Sequence, residues 1–285
     1  MIYKDSKWAS QILALQQNDG SWGHFHALSK PTKEQPITTE QALRRLRILG
    51  YTKNDAPIRR ALCYMEENLA NPEPTVFHEK KHDSKIYGDL MLAAWLRLFD
   101  PEHTGALSVA KKWAAILREA FAAGVYSQSA YALAYESMLE KKLNPKAGCL
   151  ANFVVFYQIV LLQGMLPPET EGLILDYILH YPTGIVYIYD KPLCNLPEVF
   201  ASRQANRYLS AMELLAGYTG ACEKLGFAAS WLMNNQGEDG LWDLGAIAKD
   251  GIHFPLSDSW RNPADRKADC TDRVGRILKQ LGITV

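Results

Sequence analysis

The sequence predicts an all-α domain built from helical hairpins. Three observations carry that expectation. Apolar residues recur at helical spacing along nearly the whole chain, one short run reads as a strand, and the same turn motif follows a helix near each end. Hydrophobic residues make up 48% and charged residues 22% of the 285 positions, enough apolar side chain for a packed core and too much for a disordered chain. The length allows one large domain or two small ones. No linker rich in Gly, Ser or Pro divides the sequence, so a single domain over 1–285 is expected.

Eleven helices are expected, at roughly 5–17, 38–49, 55–70, 84–99, 105–122, 127–141, 149–163, 168–180, 197–217, 220–235 and 265–282. An odd count leaves one helix missed or unpaired. In 38–49, Arg44, Arg45 and Arg47 alternate with Leu43, Leu46 and Leu49 and read as the solvated face of an amphipathic helix. In 55–70, Ile58, Leu62, Met65 and Leu69 share one face opposite Arg59, Glu66 and Glu67. In 105–122, Val109, Trp113, Ile116, Ala120 and Phe121 oppose Lys111, Lys112, Arg118 and Glu119. These last two read as outer helices. By contrast LMLAAWL within 84–99 and CLANFVVFYQIVLL at 149–162 are apolar nearly all round, as helices covered on several sides would be. Inner and outer helices thus alternate. GIVYIY at 184–189, bounded by Tyr181-Pro182-Thr183 and Asp190-Lys191-Pro192, reads as the one extended segment. Residues 71–75 and 251–268 read as long surface connections.

Residues 12–23 read ILALQQNDGSWG and residues 232–243 read LMNNQGEDGLWD. Aligned on Asp-Gly, they share Gln16 with Gln236, Asp19 with Asp239, Gly20 with Gly240 and Trp22 with Trp242. In each, a helix ends, Asp-Gly makes a tight turn with Gly at positive φ, and the Trp folds back as an apolar anchor. A Gln at the helix end is placed to bond the turn backbone. Trp231-Leu232 followed by Gln236, Asp239, Gly240 and Trp242 resembles the QW repeat of squalene and oxidosqualene cyclases, whose relatives include protein prenyltransferase β subunits. The first copy matches the turn half, with Ile12 where Leu is usual and no aromatic residue before it. This resemblance covers two short windows and implies an α/α toroid, with inner and outer helices around a central cavity and the two turns side by side. A layered α-superhelix is the structural alternative.

In class II terpene cyclases a cavity carboxylic acid protonates an alkene or epoxide and aromatic faces stabilise the cation. The DxDD motif of squalene-hopene and diterpene cyclases is absent here. Asp269-Cys270-Thr271-Asp272 is similar to the Asp-Cys-Thr-Ala of oxidosqualene cyclases, which implies Asp269 as the catalytic acid. From the residues alone, Asp269 or Thr271 reads as the N-cap of the helix carrying Val274, Ile277, Leu278 and Leu281. The Asp, Cys and His that bind zinc in prenyltransferases have no counterpart, since Asp269 and Cys270 are adjacent and no His follows. His78-Glu79-Lys80-Lys81-His82 satisfies HExxH, but two lysines fill its middle and Asp83 follows, as in a solvated helix start. No metal site and no cofactor is expected. Tyr87, Trp95, Asp258, Trp260 and Arg261 are the candidate ligand-binding residues. Aromatic side chains at Tyr126, Tyr131, Tyr135, Phe153, Phe156 and Tyr157 either coat an isoprenoid pocket with them or fill an ordinary core. His24 and His26, flanking Phe25, either reach a ligand or hydrogen-bond a loop.

Lys plus Arg and Asp plus Glu number 31 each, so no net field gathers nucleic acid or an anionic membrane surface. The start, MIYKDSKWASQ, lacks the apolar stretch of a secretory signal, and no run approaches the roughly 18 apolar residues of a membrane span. A cytoplasmic protein is expected. Five scattered cysteines without CxxC spacing indicate neither a disulfide framework nor structural zinc. The leading functional expectation is a partly apolar central cavity that binds an isoprenoid or terpenoid-like small molecule, with cyclase-like acid chemistry implied by the resemblance. A non-catalytic binding or interaction module is the alternative, and a zinc hydrolase on His78 and His82 a distant third. The sequence names no protein partner.

Overall fold

The computed structural model describes residues 3–26, 29, 32–71, 84–146, 148–249, 256–257 and 259–284. Among the described residues the chain is all-helical. Twelve α-helices follow one another: α1 (Lys7–Leu13), α2 (Thr39–Ile48), α3 (Ala56–Ala70), α4 (Ser84–Phe99), α5 (Thr104–Ala120), α6 (Gln128–Leu139), α7 (Phe156–Leu162), α8 (Pro168–His180), α9 (Arg203–Leu215), α10 (Ala221–Lys224), α11 (Gly226–Asn234) and α12 (Pro263–Gln280). None is long and apolar enough to cross a membrane.

Side-chain caps start many of these helices. Ser6, Thr38, His103, Ser127, Ser202 and Asn262 each accept a backbone N–H of the first turn. At α2 the cap is reciprocal, because Gln41 also accepts from the Thr38 N–H. Burial then sorts the helices. All seven residues of α7 and ten of the sixteen in α4 are buried, whereas α3 buries only Ile58, Ala61 and Met65. α4 packs against α3, α5 and α7, so a covered helix stands among wetter ones, as the periodicity predicts.

Three elements differ from the sequence reading. The expected helix at 220–235 is two, α10 and α11, interrupted at Leu225, whose φ of −99° and ψ of 9° leave the helical region. The expected helix at 149–163 begins as a 3-10 turn (Gly148–Leu150) and becomes α7 only at Phe156. Between them Asn152 Oδ1 accepts the Val154 N–H at 2.8 Å, a local turn that competes with helix. The 184–189 run is no strand. It has no partner strand, Ile185 bridges to its own Tyr189, and its tie to another segment is a lone parallel bridge from Val186 to Val155. Gly184 and Tyr187 both take positive φ, 61° and 72°, so the backbone folds on itself.

The two repeated turns are the same structure built twice. Trp22 Nε1 donates to the Ile12 carbonyl at 2.7 Å and Trp242 Nε1 to the Leu232 carbonyl at 2.6 Å. Gln16 and Gln236 donate to the carbonyls of Gly20 and Gly240 at 2.9 and 2.8 Å. Asp19 and Asp239 accept from the amides of Ser21 and Leu241. The backbone N–H of each Trp is received by a threonine of the next long helix, Thr39 Oγ1 of α2 at 2.9 Å and Thr271 Oγ1 of α12 at 3.0 Å. Each indole therefore adds a second donor to a helix-end carbonyl that already accepts a backbone N–H, from Leu15 at Ile12 and from Asn235 at Leu232, while burying its ring.

The second turn carries one addition. Asp243, where the first turn has Gly23, pairs with Arg266 through two contacts of 2.6 and 2.7 Å. The Arg266 hydrogen bond holds the Asp243 carboxyl below the usual carboxylate range.

Trp22→Phe and Trp242→Phe should each lower stability by about 1–2 kcal/mol, from the lost indole hydrogen bond and the smaller buried ring, as read by urea unfolding. Gly20→Ala should cost more than Gly240→Ala. Both glycines have positive φ, 92° and 75°, but a Cβ on Gly20 would lie 2.4 Å from the Arg60 carbonyl oxygen while one on Gly240 meets nothing closer than 4.0 Å. Because the folded pKa of Asp243 is depressed, its contribution is present above the unfolded value and lost as pH falls below about 4. The acid-induced drop in the urea midpoint should therefore be smaller in Asp243→Asn.

Candidate cavity and its arginine face

Five helices drawn from the whole length of the chain line one cavity of about 510 Å³. α2 contributes Arg44, Arg47 and Ile48, α4 contributes Trp95, Leu98 and Phe99, and α7 contributes Phe156. α9 adds Ser210, Glu213 and Leu214, and α12 adds Asp269, Cys270, Arg273, Arg276 and Gln280. The spacing explains the lining, since 44, 47 and 48 share a face of α2, and 269, 273, 276 and 280 share a face of α12. Leu244, Leu256 and Trp260 complete the wall between α11 and α12.

The chain's ends meet beside this cavity. Asp269 is 3% exposed and accepts five hydrogen bonds. Its Oδ2 receives the backbone N–H groups of Leu256 and Ser257 at 3.0 and 3.1 Å, and the Ser257 hydroxyl and Trp260 Nε1 at 2.8 Å each. Its Oδ1 receives the Tyr3 hydroxyl at 2.9 Å. Trp8 Nε1 adds a bond to the Ser257 carbonyl at 3.1 Å. Burial, reinforced by the Asp269 bond, pushes the Tyr3 phenol well above its ordinary range, so Tyr3 stays a donor.

Asp269 is not a helix cap, contrary to the residue-level expectation. Asn262 and Pro263 start α12, with Asn262 Oδ1 accepting from Ala264 N at 3.1 Å, which puts Asp269 two turns into the helix. Thr271 is likewise internal and serves Trp242. Cys270 is buried, and burial pushes its thiol up to about 11, which keeps it from acting as a thiolate at neutral pH.

Of the three arginines of α2, Arg47 is exposed as the amphipathic pattern predicts, whereas Arg44 departs from it. Arg44 is not on a solvated face. Its side chain is 14% exposed, its guanidinium lies 4.7 Å from the Phe156 ring centre and 5.7 Å from that of Trp95, and its Nη2 is 3.5 Å from Glu40 Oε1. Glu40, itself buried, also accepts Trp95 Nε1 at 3.1 Å and the Tyr157 hydroxyl at 2.9 Å, and so fixes the indole in the cavity wall. Arg47, one turn on, points into the same space. It lines the cavity while remaining exposed to solvent. Across the cavity Arg273 grips Glu213 with two bonds of 2.9 and 3.0 Å and also donates to Asn206 and Ser210.

Of the candidate ligand residues, Trp95 and Trp260 line the cavity together with Asp269. Tyr87 belongs to a neighbouring buried cluster, 3.0 Å from the Tyr187 hydroxyl and 3.4 Å from His26 Nε2. Tyr187 in turn meets Cys149 at 3.1 Å. Arg261 is exposed outside the lining, and Asp258 lies outside the described residues. His24 is exposed while His26 is buried among the rings of Tyr87, Tyr157 and Tyr187. His78, Glu79 and His82 also lie outside the described residues; among those described, no group of His, Cys, Asp and Glu is arranged to bind a metal ion. Arg44, Arg47, Arg273, Arg276 and Glu213 are the cavity residues that sequence reasoning missed. Their i, i+3 and i+4 spacing was visible, but a solvated stripe has the same period.

Comparison with models of protein families, with curated proteins and with solved structures finds no match to this chain.

Asp269→Asn replaces an acceptor oxygen with an N–H₂ group that faces other donors. Its expected effect is a stability loss of about 3 kcal/mol, with faster amide exchange at Leu256 and Ser257. Unchanged protection there would show that the carboxylate does not anchor this segment.

Proposed function

We propose that the chain is an α/α toroid of the squalene cyclase and prenyltransferase kind, whose central cavity binds an apolar, isoprenoid-like small molecule without cyclising it. The observation that carries this reading is the cavity itself: α2, α4, α7, α9 and α12 each supply part of one wall, while Tyr3 and Trp8 tie the start of the chain to Asp269 and Ser257 near its end. The paired Trp turns support the same arrangement. Trp95, Phe99, Phe156 and Trp260 supply aromatic surface for an unsaturated hydrocarbon. A volume of about 510 Å³ suits a molecule of drug size.

Binding is favoured over acid catalysis by the hydrogen bonds of Asp269. Five donors from the protein itself converge on its two oxygens, four of them on Oδ2, so the carboxylate is engaged in holding neighbouring segments. Its role in this reading is to join segments.

Calorimetric titration with farnesol, an isoprenoid alcohol, tests the proposal, with the ligand recovered afterwards and weighed by mass spectrometry. One-to-one binding, unaltered farnesol and loss of binding in Leu98→Trp, which fills the cavity, are the expected results. Absence of binding overturns the proposal, and conversion of farnesol that depends on Asp269 replaces it with the cyclase reading.

A further inference from the structure

The mouth of the cavity is flanked by two elements that residues 3–8 tie together. Among the lining residues, Arg47 and Thr52 are exposed at the end of α2 and in the loop after it, Arg276 and Gln280 on the last turns of α12, and Gly217 just past α9. Deeper in, Trp95, Trp260, Asp269 and Cys270 line the same space and are buried. Along α12 the lining therefore runs from exposed Gln280 and Arg276 at the rim to buried Arg273 and Asp269 inside.

Residues 3–8 cross from one flank to the other. On the α2 side, the Tyr3 N–H donates to the Leu49 carbonyl and the Tyr51 hydroxyl donates to the Lys4 carbonyl, both at 3.1 Å. Lys4 Nζ lies 2.8 Å from each Asp55 oxygen and 5.4 Å from the Tyr51 ring centre. On the α12 side, the Tyr3 hydroxyl donates to Asp269 Oδ1 at 2.9 Å, and Trp8 Nε1 donates to the Ser257 carbonyl at 3.1 Å. Tyr3, Lys4 and Trp8 are outside the lining but fasten residues that belong to it, Tyr51 and Asp269. Every residue from 3 to 8 is exposed or half-buried, and a segment held by a few partly solvated polar contacts opens at lower cost than the packed helices beneath it. We propose that residues 3–8 are a clasp across the cavity: with Tyr3 bonded to Asp269 the α2 loop and α12 are held together, and release of Tyr3 lets these flanks part and admits a small molecule. The inference concerns entry and holds for any molecule that the cavity takes. Asp269 Oδ2 carries the four bonds from Leu256, Ser257 and Trp260, so loss of the Tyr3 hydroxyl frees the clasp and leaves those four in place.

Cys270 supplies the readout. It is 1% exposed, lines the cavity and sits beside Asp269, so a thiol reagent must enter to reach it. The full chain is treated with iodoacetamide under folding conditions at one fixed pH, and modification of each cysteine is followed by mass spectrometry. Cys149, buried against Tyr187 and outside the lining, reports general loosening, while exposed Cys63 and Cys222 report the reagent's own reactivity. Tyr3→Phe should speed labelling of Cys270 about tenfold relative to Cys149, because loss of one hydrogen bond to a carboxylate shifts the opening equilibrium. An electrostatic effect would act the other way, since a carboxylate with one donor fewer disfavours a neighbouring thiolate. Lys4→Gln, which leaves every Asp269 bond in place, should speed Cys270 selectively by about twofold. Should Tyr3→Phe fail to fold, the same two rates in Lys4→Gln decide the matter. An equal rise at Cys270 and Cys149 overturns the clasp, as does a Cys270 rate that the deciding variant leaves unchanged. Labelling of Cys270 in the unaltered chain as fast as that of Cys63 overturns it too, since the mouth would already be open.

Discussion

One carboxylate gathers the parts of this domain that are farthest apart in sequence. Asp269 accepts from Tyr3 at the start of the chain and from Leu256, Ser257 and Trp260 in the segment leading to α12. A buried acceptor of this kind is satisfied only if every donor arrives, and each donor left alone would be penalised in turn. The N-terminal segment, the approach to α12 and the cavity wall therefore depend on the same bond set. The Trp turns act in concert with it. Trp22 joins α1 to α2 and Trp242 joins α11 to α12, each through a threonine that receives the turn's backbone. Two hairpins of one design thus flank the place where the ends meet.

Much of this was legible. Of the face read from periodicity in α3, Ile58 and Met65 are buried and Leu62 and Leu69 half-buried, with Ala61 buried beside them, and the length and apolarity of 84–99 announce a covered helix. The turns were readable because Gln, Asp-Gly and Trp occupy fixed offsets from a helix end, and each has a local hydrogen-bonding reason to be there. Their partners Thr39 and Thr271 were not, because contact between a turn and a distant helix leaves no local pattern. The run at 184–189 misled for a related reason. Its β-branched and aromatic residues suit a strand, but a strand needs a neighbour, and the surrounding helices offer only the single bridge at Val155. At α12 the Asn262-Pro263 start was present in the sequence, and the charged residues after it read as loop rather than as the first turns of a helix.

The arginine face shows where periodicity stops being informative. Arg44 and Arg47 recur at helical spacing between leucines, which describes equally a helix whose polar side meets bulk water and one whose polar side meets an enclosed space. What separates the cases is the presence of Phe156, Trp95 and Glu213 opposite, supplied by α7, α4 and α9. The chemistry of the cavity is thus a property of the assembled helices. Its aromatic wall is set by the buried α4 and α7, its charged wall by α2 and α12, and Glu40 binds the two together through Trp95 and Arg44.

Tyr3 joins the start of the chain to α12 through Asp269. A double-mutant cycle between Tyr3→Phe and Asp269→Asn, read by urea unfolding, tests it across 266 positions of sequence. A coupling energy of about 1–2 kcal/mol is predicted for a hydrogen bond between a phenol and a carboxylate. Additivity of the two losses to within about 0.3 kcal/mol would contradict it, since groups that do not touch do not couple.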